Sequence, residues 1–217
     1  MVSHAAAERA EFVAALQAVP AGAPTLCAGW TALDLAAHVV ARERRPDSTP
    51  GLMIPALAGW TDRVRNGYAR RPYPELIELV AGGPPRTSLF ALPGVDAAAN
   101  FGEFLIHTED VRRAQPGWEP RDLDADRREA AWSAVRRGSR LYFRKVPVAL
   151  VLARPDGADG TEIAAGARNA ADGEPVRVVG EPEELLLLAA GRRTHARVTV
   201  TGHPDAVRLF EATPLSL

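Results

Sequence analysis

Apolar residues recur at helical spacing from the start of the chain. Phe12, Val13, Leu16 and Val19 share one side of residues 3–19, a segment that opens on Ser3 as an N-cap and stops at Pro20. The pattern predicts a first amphipathic helix. After the turn-rich "PAGAPTLCAGW", the stretch "WTALDL" places Thr31 to cap a helix, Asp34 to return the bond three residues on, and Trp30 to staple against Leu35. A second helix is expected over about 32–44. "RRPDSTPG" breaks it, helical spacing resumes in "IPALAGWTDRVRNGYAR" and "PELIELVAG", and "GGPPRTSLFALPG" reads as a long loop. Residues 95–114 form the next helical stretch, closed by "QPGW". Another follows in "DADRREAAWSAVRRGSRLYFR", with Leu123, Ala130, Trp132, Val135 and Leu141 as candidate buried positions.

The period changes after Lys145. "VPVALVLARP" is apolar and β-branched, "PDGADG" is a turn, and "TEIAAG", "PVRVVG" and "ARVTVTG" read as short strands. "EPEELLLLAAGRR" and "HPDAVRLFEA" read as two helices packed on that sheet. The fold expected is mainly α, a helical bundle over 1–145 followed by a small α+β domain over 146–217.

Composition narrows the functional classes. A chain of 217 residues can bury a core without staples, and a net charge of −1 with both signs interspersed offers no basic face for nucleic acid and no polybasic tract for a membrane. A small-molecule site is the better expectation. Cys27 is the single cysteine, so a disulfide within the chain and a cysteine-rich zinc knuckle are excluded, and any metal must be held by histidine and carboxylate. Glu8, Arg9 and Glu11 interrupt the place where a secretory signal would be apolar, and no apolar run approaches the ~18 residues that span a bilayer. The expected setting is the cytoplasm, with the protein a monomer or homodimer. Twenty-five arginines against one lysine suggest a high-GC bacterial genome.

The segment "FGEFLIHTED", residues 101–110, carries the candidate chemistry. At 100° per residue, Asp96, Asn100, Glu103, His107 and Asp110 share one arc, flanked by Phe104, Ile106 and Val111, which points the polar stripe into the bundle. Buried carboxylates and imidazoles are unfavourable unless paired or metal-bound. A Glu and a His at i and i+4 can reach one cation, and the pair suits Zn²⁺, Fe²⁺, Ni²⁺ or Mn²⁺. With 15 Glu and 5 His in 217 residues, chance supplies roughly 0.35 such pairs, so spacing alone also fits a histidine simply hydrogen-bonded inside a bundle. His38, in "LDLAAHVV" on the side of Asp34, is a possible third ligand.

"LCAGWTALDLAAHVVARER" followed by "NFGEFLIHTEDVRRA" resembles the metal-binding helical domain of the mycothiol-dependent maleylpyruvate isomerase family, within the DinB/YfiT-like superfamily. The resemblance covers about residues 3–145 and rests on Gly-Trp-Thr-x-x-Asp-Leu-x-x-His entering the second helix and Glu-x-x-x-His-x-x-Asp on the later one. It implies a DinB-like four-helix bundle and one divalent metal, usually zinc, on His38, Glu103 and His107. The branch sharing "ERRPD" and "HTEDVRRAQPGW" is described only as metal-binding proteins. The last seventy residues are similar in layout to the small domain that follows the bundle in the isomerase.

Two histidines and one glutamate leave a coordination position open, as in catalytic zinc sites. The resemblance implies that a thiol, mycothiol, or a water would occupy it, for isomerisation or S-transfer on a small electrophile. The alternatives are a non-catalytic metal-binding sensor or carrier, and a non-haem iron enzyme with the same ligands. Asp110, one turn past His107, is placed to orient a ligand imidazole or bound solvent, or to pair with Arg113 on the helix surface. Arg112 and Arg113 are candidates for anion contact, or serve the helix C-terminus. Asp34 is read as the capping residue; Cys27, in the loop before the second helix, is within reach of the site but is read as a small buried loop residue with no visible activating neighbour. His4, His195 and His203 have no partner at ligand spacing.

Overall fold

The computed structural model describes residues 3–52, 54–85, 88, 95–155, 162–167 and 174–215, without the side chains of residues 49, 50, 52, 55 and 95–99. The expected loop over 82–94 and turn over 155–160 fall largely outside these residues, as does the Asp96 side chain. Two compact units divide at Arg121 and Asp122.

In the first unit α1 (His4–Gln17) starts where Ser3 accepts a bond from the Ala6 amide. It buries Ala5, Glu8, Phe12, Ala15 and Leu16, a stripe three and four residues apart. α2 (Ala32–Arg44) begins with the predicted reciprocal cap. Asp34 Oδ2 accepts from the Thr31 amide at 3.0 Å and Thr31 Oγ1 from the Asp34 amide at 3.3 Å. Two 3-10 segments, Pro46–Leu52 and Pro55–Leu57, lead to α3 (Ala58–Tyr68), then α4 (Tyr73–Ala81) and α5 (Val95–Arg112). α1 packs on α5 and α4, and α2 on α3 and α4. Nine of the thirteen α2 residues are buried, four of them alanines that let neighbouring helices approach closely. Phe12, Leu16, Leu35, Val39, Val40, Leu76, Val80, Phe104 and Val111 form the core of this unit.

Two buried ion networks tie these helices together. Arg9 on α1 donates to Glu43 on α2 and to the Val80 carbonyl on α4, and lies over the Phe104 ring of α5. Arg121 joins Glu8 of α1 to Glu109 of α5.

The second unit begins before the boundary expected near residue 145. α6 (Ala125–Tyr142), capped by Asp124, packs on α7 (Pro182–Ala189) and on the sheet. Ala131, Trp132, Val135 and Ser139 supply its buried stripe. Leu141, expected inside, is 41% exposed because the stripe at 131, 132, 135 and 139 puts it on the opposite face. The sheet has the order β2-β1-β3-β4, formed by β1 (Ala149–Ala153), β2 (Glu162–Gly166), β3 (Val176–Val179) and β4 (Thr199–Thr201). β1 pairs antiparallel with β2 and parallel with β3, and β3 pairs antiparallel with β4. α7 is buried along its whole length, which explains its run of four leucines, and α8 (Pro204–Ala212) packs on β3. The mainly α architecture with a small α+β part is therefore as expected. No described helix is long and apolar enough to cross a membrane.

Candidate metal centre

α2 and α5 deliver the three candidate ligands to one place. The Thr31–Asp34 cap fixes the start of α2 and so the face on which His38 emerges; the i, i+4 spacing on α5 stacks Glu103 under His107. His38 Nε2 lies 3.3 Å and His107 Nε2 3.2 Å from the same oxygen, Glu103 Oε1. All three donor atoms lie within 4.8 Å of one another. A regular tetrahedron with metal–ligand bonds of about 2.05 Å has edges of roughly 3.3 Å, so both distances to Glu103 suit ligands of one zinc-sized ion. The same distances serve a hydrogen-bonded His–Glu–His chain. His38 and His107 are each 8% exposed, whereas the Glu103 side chain is 25% exposed, so the group opens on the glutamate side.

Apolar and aromatic walls enclose the imidazoles. Trp30 sits 5.2 Å from the His38 ring, between centroids, and Phe12 6.3 Å from His107. The Arg65 guanidinium lies over the far partner, Trp30, at 4.6 Å. Trp30 thus flanks a candidate ligand as well as the helix entry.

The charges around the group differ by position. Burial holds the His38 imidazole below its ordinary pKa of 6.5, and the hydrogen bond it donates to Glu103 only partly opposes it. Burial acts on His107 in the same sense, but bonds to Asp110, Cys27 and Glu103 outweigh it and hold His107 well above 6.5. Burial would raise Glu103, yet hydrogen bonds from His107 and His38 and the charge of Arg42 keep it well below 4.5. The pocket therefore presents an ionised carboxylate and a neutral His38 at neutral pH.

Asp110 is fully buried and accepts from His107 Nδ1 at 2.9 Å through Oδ2. That bond fixes the proton on Nδ1 and turns Nε2 toward Glu103, the arrangement typical of metal-binding histidines. Arg113 is not part of the group. Its side chain is buried, donates to Glu109 and stacks on Trp118. Arg112 likewise donates to Glu109. Asp34 is engaged in the helix cap, as read from the sequence.

Two residues enter the site that the sequence reading did not place there. Arg42, one turn past His38 on α2, brings Nε to 3.6 Å from Glu103 Oε1 and donates Nη1 to Asn100. Its i+4 spacing from His38 was a usable signal. Cys27, read as a small buried loop residue, is half-buried and has Sγ 3.2 Å from Asp110 Oδ2. No local pattern could reveal that contact, because 83 residues separate the partners.

Residues 2–115 match the family model described as the mycothiol maleylpyruvate isomerase N-terminal domain. The chain is similar to the crystal structure of the mycothiol-dependent maleylpyruvate isomerase, with a TM-score of 0.60 and 16% identity over 92% of this chain and 91% of that one. A histidine-to-alanine mutant of that enzyme gives a TM-score of 0.59 and 19% identity at the same coverage. Identities this low establish a shared fold. A comparison with curated proteins gives no match.

Proposed function

Because the chain belongs to the mycothiol maleylpyruvate isomerase N-terminal domain family, we propose that it binds one divalent metal ion through His38, Glu103 and His107. The donor set favours zinc, and the open coordination position would take a low-molecular-weight thiol, mycothiol in this family. The observation that carries this reading is the convergence of two Nε2 atoms, of His38 on α2 and His107 on α5, on a single carboxylate oxygen of Glu103.

The metal, when bound, would supply Lewis acidity that favours thiolate over thiol. The chain's own residues would do the rest. Asp110 holds the Nδ1 proton of His107, so that coordination would displace only the Nε2 proton. Trp30 and Phe12 keep bulk water from the imidazoles. Arg42 stands beside Glu103 as a cation for an anionic group entering at the open side. Thiolate addition to an activated double bond, rotation about the resulting single bond and loss of the same thiolate would give cis-to-trans isomerisation with no net consumption of thiol. The same attack on a carbon bearing a leaving group would give S-transfer.

Elemental analysis of the wild type beside His38→Ala and Glu103→Ala tests the metal. Near-stoichiometric metal, lost in both variants, is expected, and a metal-free wild type would overturn the reading. The thiol is tested by titrating mycothiol into the cobalt-substituted protein. An unchanged visible spectrum would leave a non-catalytic metal-binding protein, and as-isolated iron with oxygen-dependent turnover would move the assignment to non-haem iron chemistry.

A further inference from the structure

We propose that Cys27 is a positioning residue of the metal site, acting through Asp110 on His107; the inference rests on the metal-binding reading above. A buried carboxylate keeps one orientation only while its lone pairs are matched by donors. Asp110 Oδ2 accepts from both His107 Nδ1, at 2.9 Å, and Cys27 Sγ, at 3.2 Å. The thiol therefore sets the oxygen that sets the imidazole.

The loop holding Cys27 is built to keep it there. The turn Cys27–Trp30 closes through the Trp30 amide on the Cys27 carbonyl at 2.9 Å, with Gly29 at φ 76°, a conformation that side-chain-bearing residues rarely adopt. Thr25 Oγ1 accepts the Cys27 amide at 3.2 Å and donates to the Trp30 carbonyl at 2.8 Å. The loop is also tied to α5 and to the turn that follows it, because the Leu26 amide donates to the Asp110 carbonyl and Gln115 to the Pro24 carbonyl. Asp110 is thus gripped at backbone and side chain by one loop. The far end of that loop is Thr31, the cap of the helix that carries His38, so a single segment registers both ligand helices.

The relay predicts a graded effect on metal affinity, because partners behind a ligand typically change it by about 10–100-fold. Competition between the protein and a chelator for Zn²⁺ should show weakening of about tenfold in Cys27→Ala. In Cys27→Ser, whose hydroxyl can donate to the same oxygen, affinity should stay within about threefold of the wild type. Stoichiometry at saturation should be unchanged in both, unlike in His38→Ala. A second readout needs no metal. The His107 Nδ1–H should give a sharp, exchange-protected proton resonance in the wild type and Cys27→Ser, broadened by water exchange in Cys27→Ala. If Cys27→Ala binds zinc like the wild type and its Nδ1–H stays protected, the relay is refuted while the metal site stands. A wild type that binds no zinc refutes the metal reading instead, and the proton resonance still decides whether Cys27 positions His107.

Discussion

Replacing Arg121 with methionine should destabilise the first unit by about 3 kcal/mol, and the structure shows why. Arg121 donates Nε to Glu109 Oε1 at 2.6 Å and Nη2 and Nη1 to Glu8 at 2.8 and 3.3 Å. The three side chains are 12%, 2% and 0% exposed for Arg121, Glu109 and Glu8. Exposed ion pairs contribute about 0.2–1 kcal/mol, but removing one partner of a buried pair costs about 3–5 kcal/mol because the other charge stays behind undersolvated. In Arg121→Met, Glu109 keeps Arg112 and Arg113, so the loss sits near the lower bound. With a urea m-value of about 1–3 kcal/mol/M, the unfolding midpoint should fall by about 1–3 M. Tryptophan fluorescence and far-UV circular dichroism at pH 7 would follow the transition, with Glu8→Gln and the double variant alongside. Removing both partners should cost at least about 1 kcal/mol less than the two single changes together. A loss below about 1 kcal/mol in Arg121→Met, or strict additivity in the double variant, would refute the reasoning.

Acidification should weaken the same network. Burial works to raise the Glu109 carboxyl, but the Arg113 bond and the charges of Arg121 and Arg113 outweigh it, so its folded pKa lies below 4.5. Its contribution is complete above that value and is lost as pH falls through the folded pKa, so the urea midpoint should drop below about pH 4.5, less steeply in Glu109→Gln. At the alkaline end, burial pushes the Tyr73 hydroxyl up to about 12 from 10.0, and the unfolded chain releases this proton first. Stability should therefore fall between pH 10 and 12, and Tyr73→Phe should remove that slope while costing about 1 kcal/mol at neutral pH for the bond to the Leu16 carbonyl. Thr31→Ala breaks the cap of α2 and should cost about 1 kcal/mol in thermal or urea unfolding without changing metal stoichiometry.

Much of the fold was legible because its signals are local. Ser3 and Thr31 cap the helices they were expected to cap, and the strands of the second unit fall where the apolar, β-branched runs lie. The division of the chain was less legible. α6 has an ordinary amphipathic pattern, and nothing in that pattern says whether its stripe of Ala131, Trp132 and Val135 meets the helices before it or α7 and the sheet after it. Leu141 misled for a related reason, since an apolar residue near a helix end need not share the buried face.

In the site, the i, i+4 geometry of Glu103 and His107 is a property of any helix, so the sequence determined that pair without help. The sequence also determined the register of His38, through a cap that fixes where α2 starts. Only the tertiary structure decided that His38 Nε2 meets the same Glu103 oxygen, that Asp110 turns inward to His107, and that Arg113 turns away to Glu109. It alone brought Cys27 onto Asp110. The physical reason is range: helix periodicity and capping act within a few residues, whereas the side on which two helices or a loop meet is chosen by the packing of the whole core.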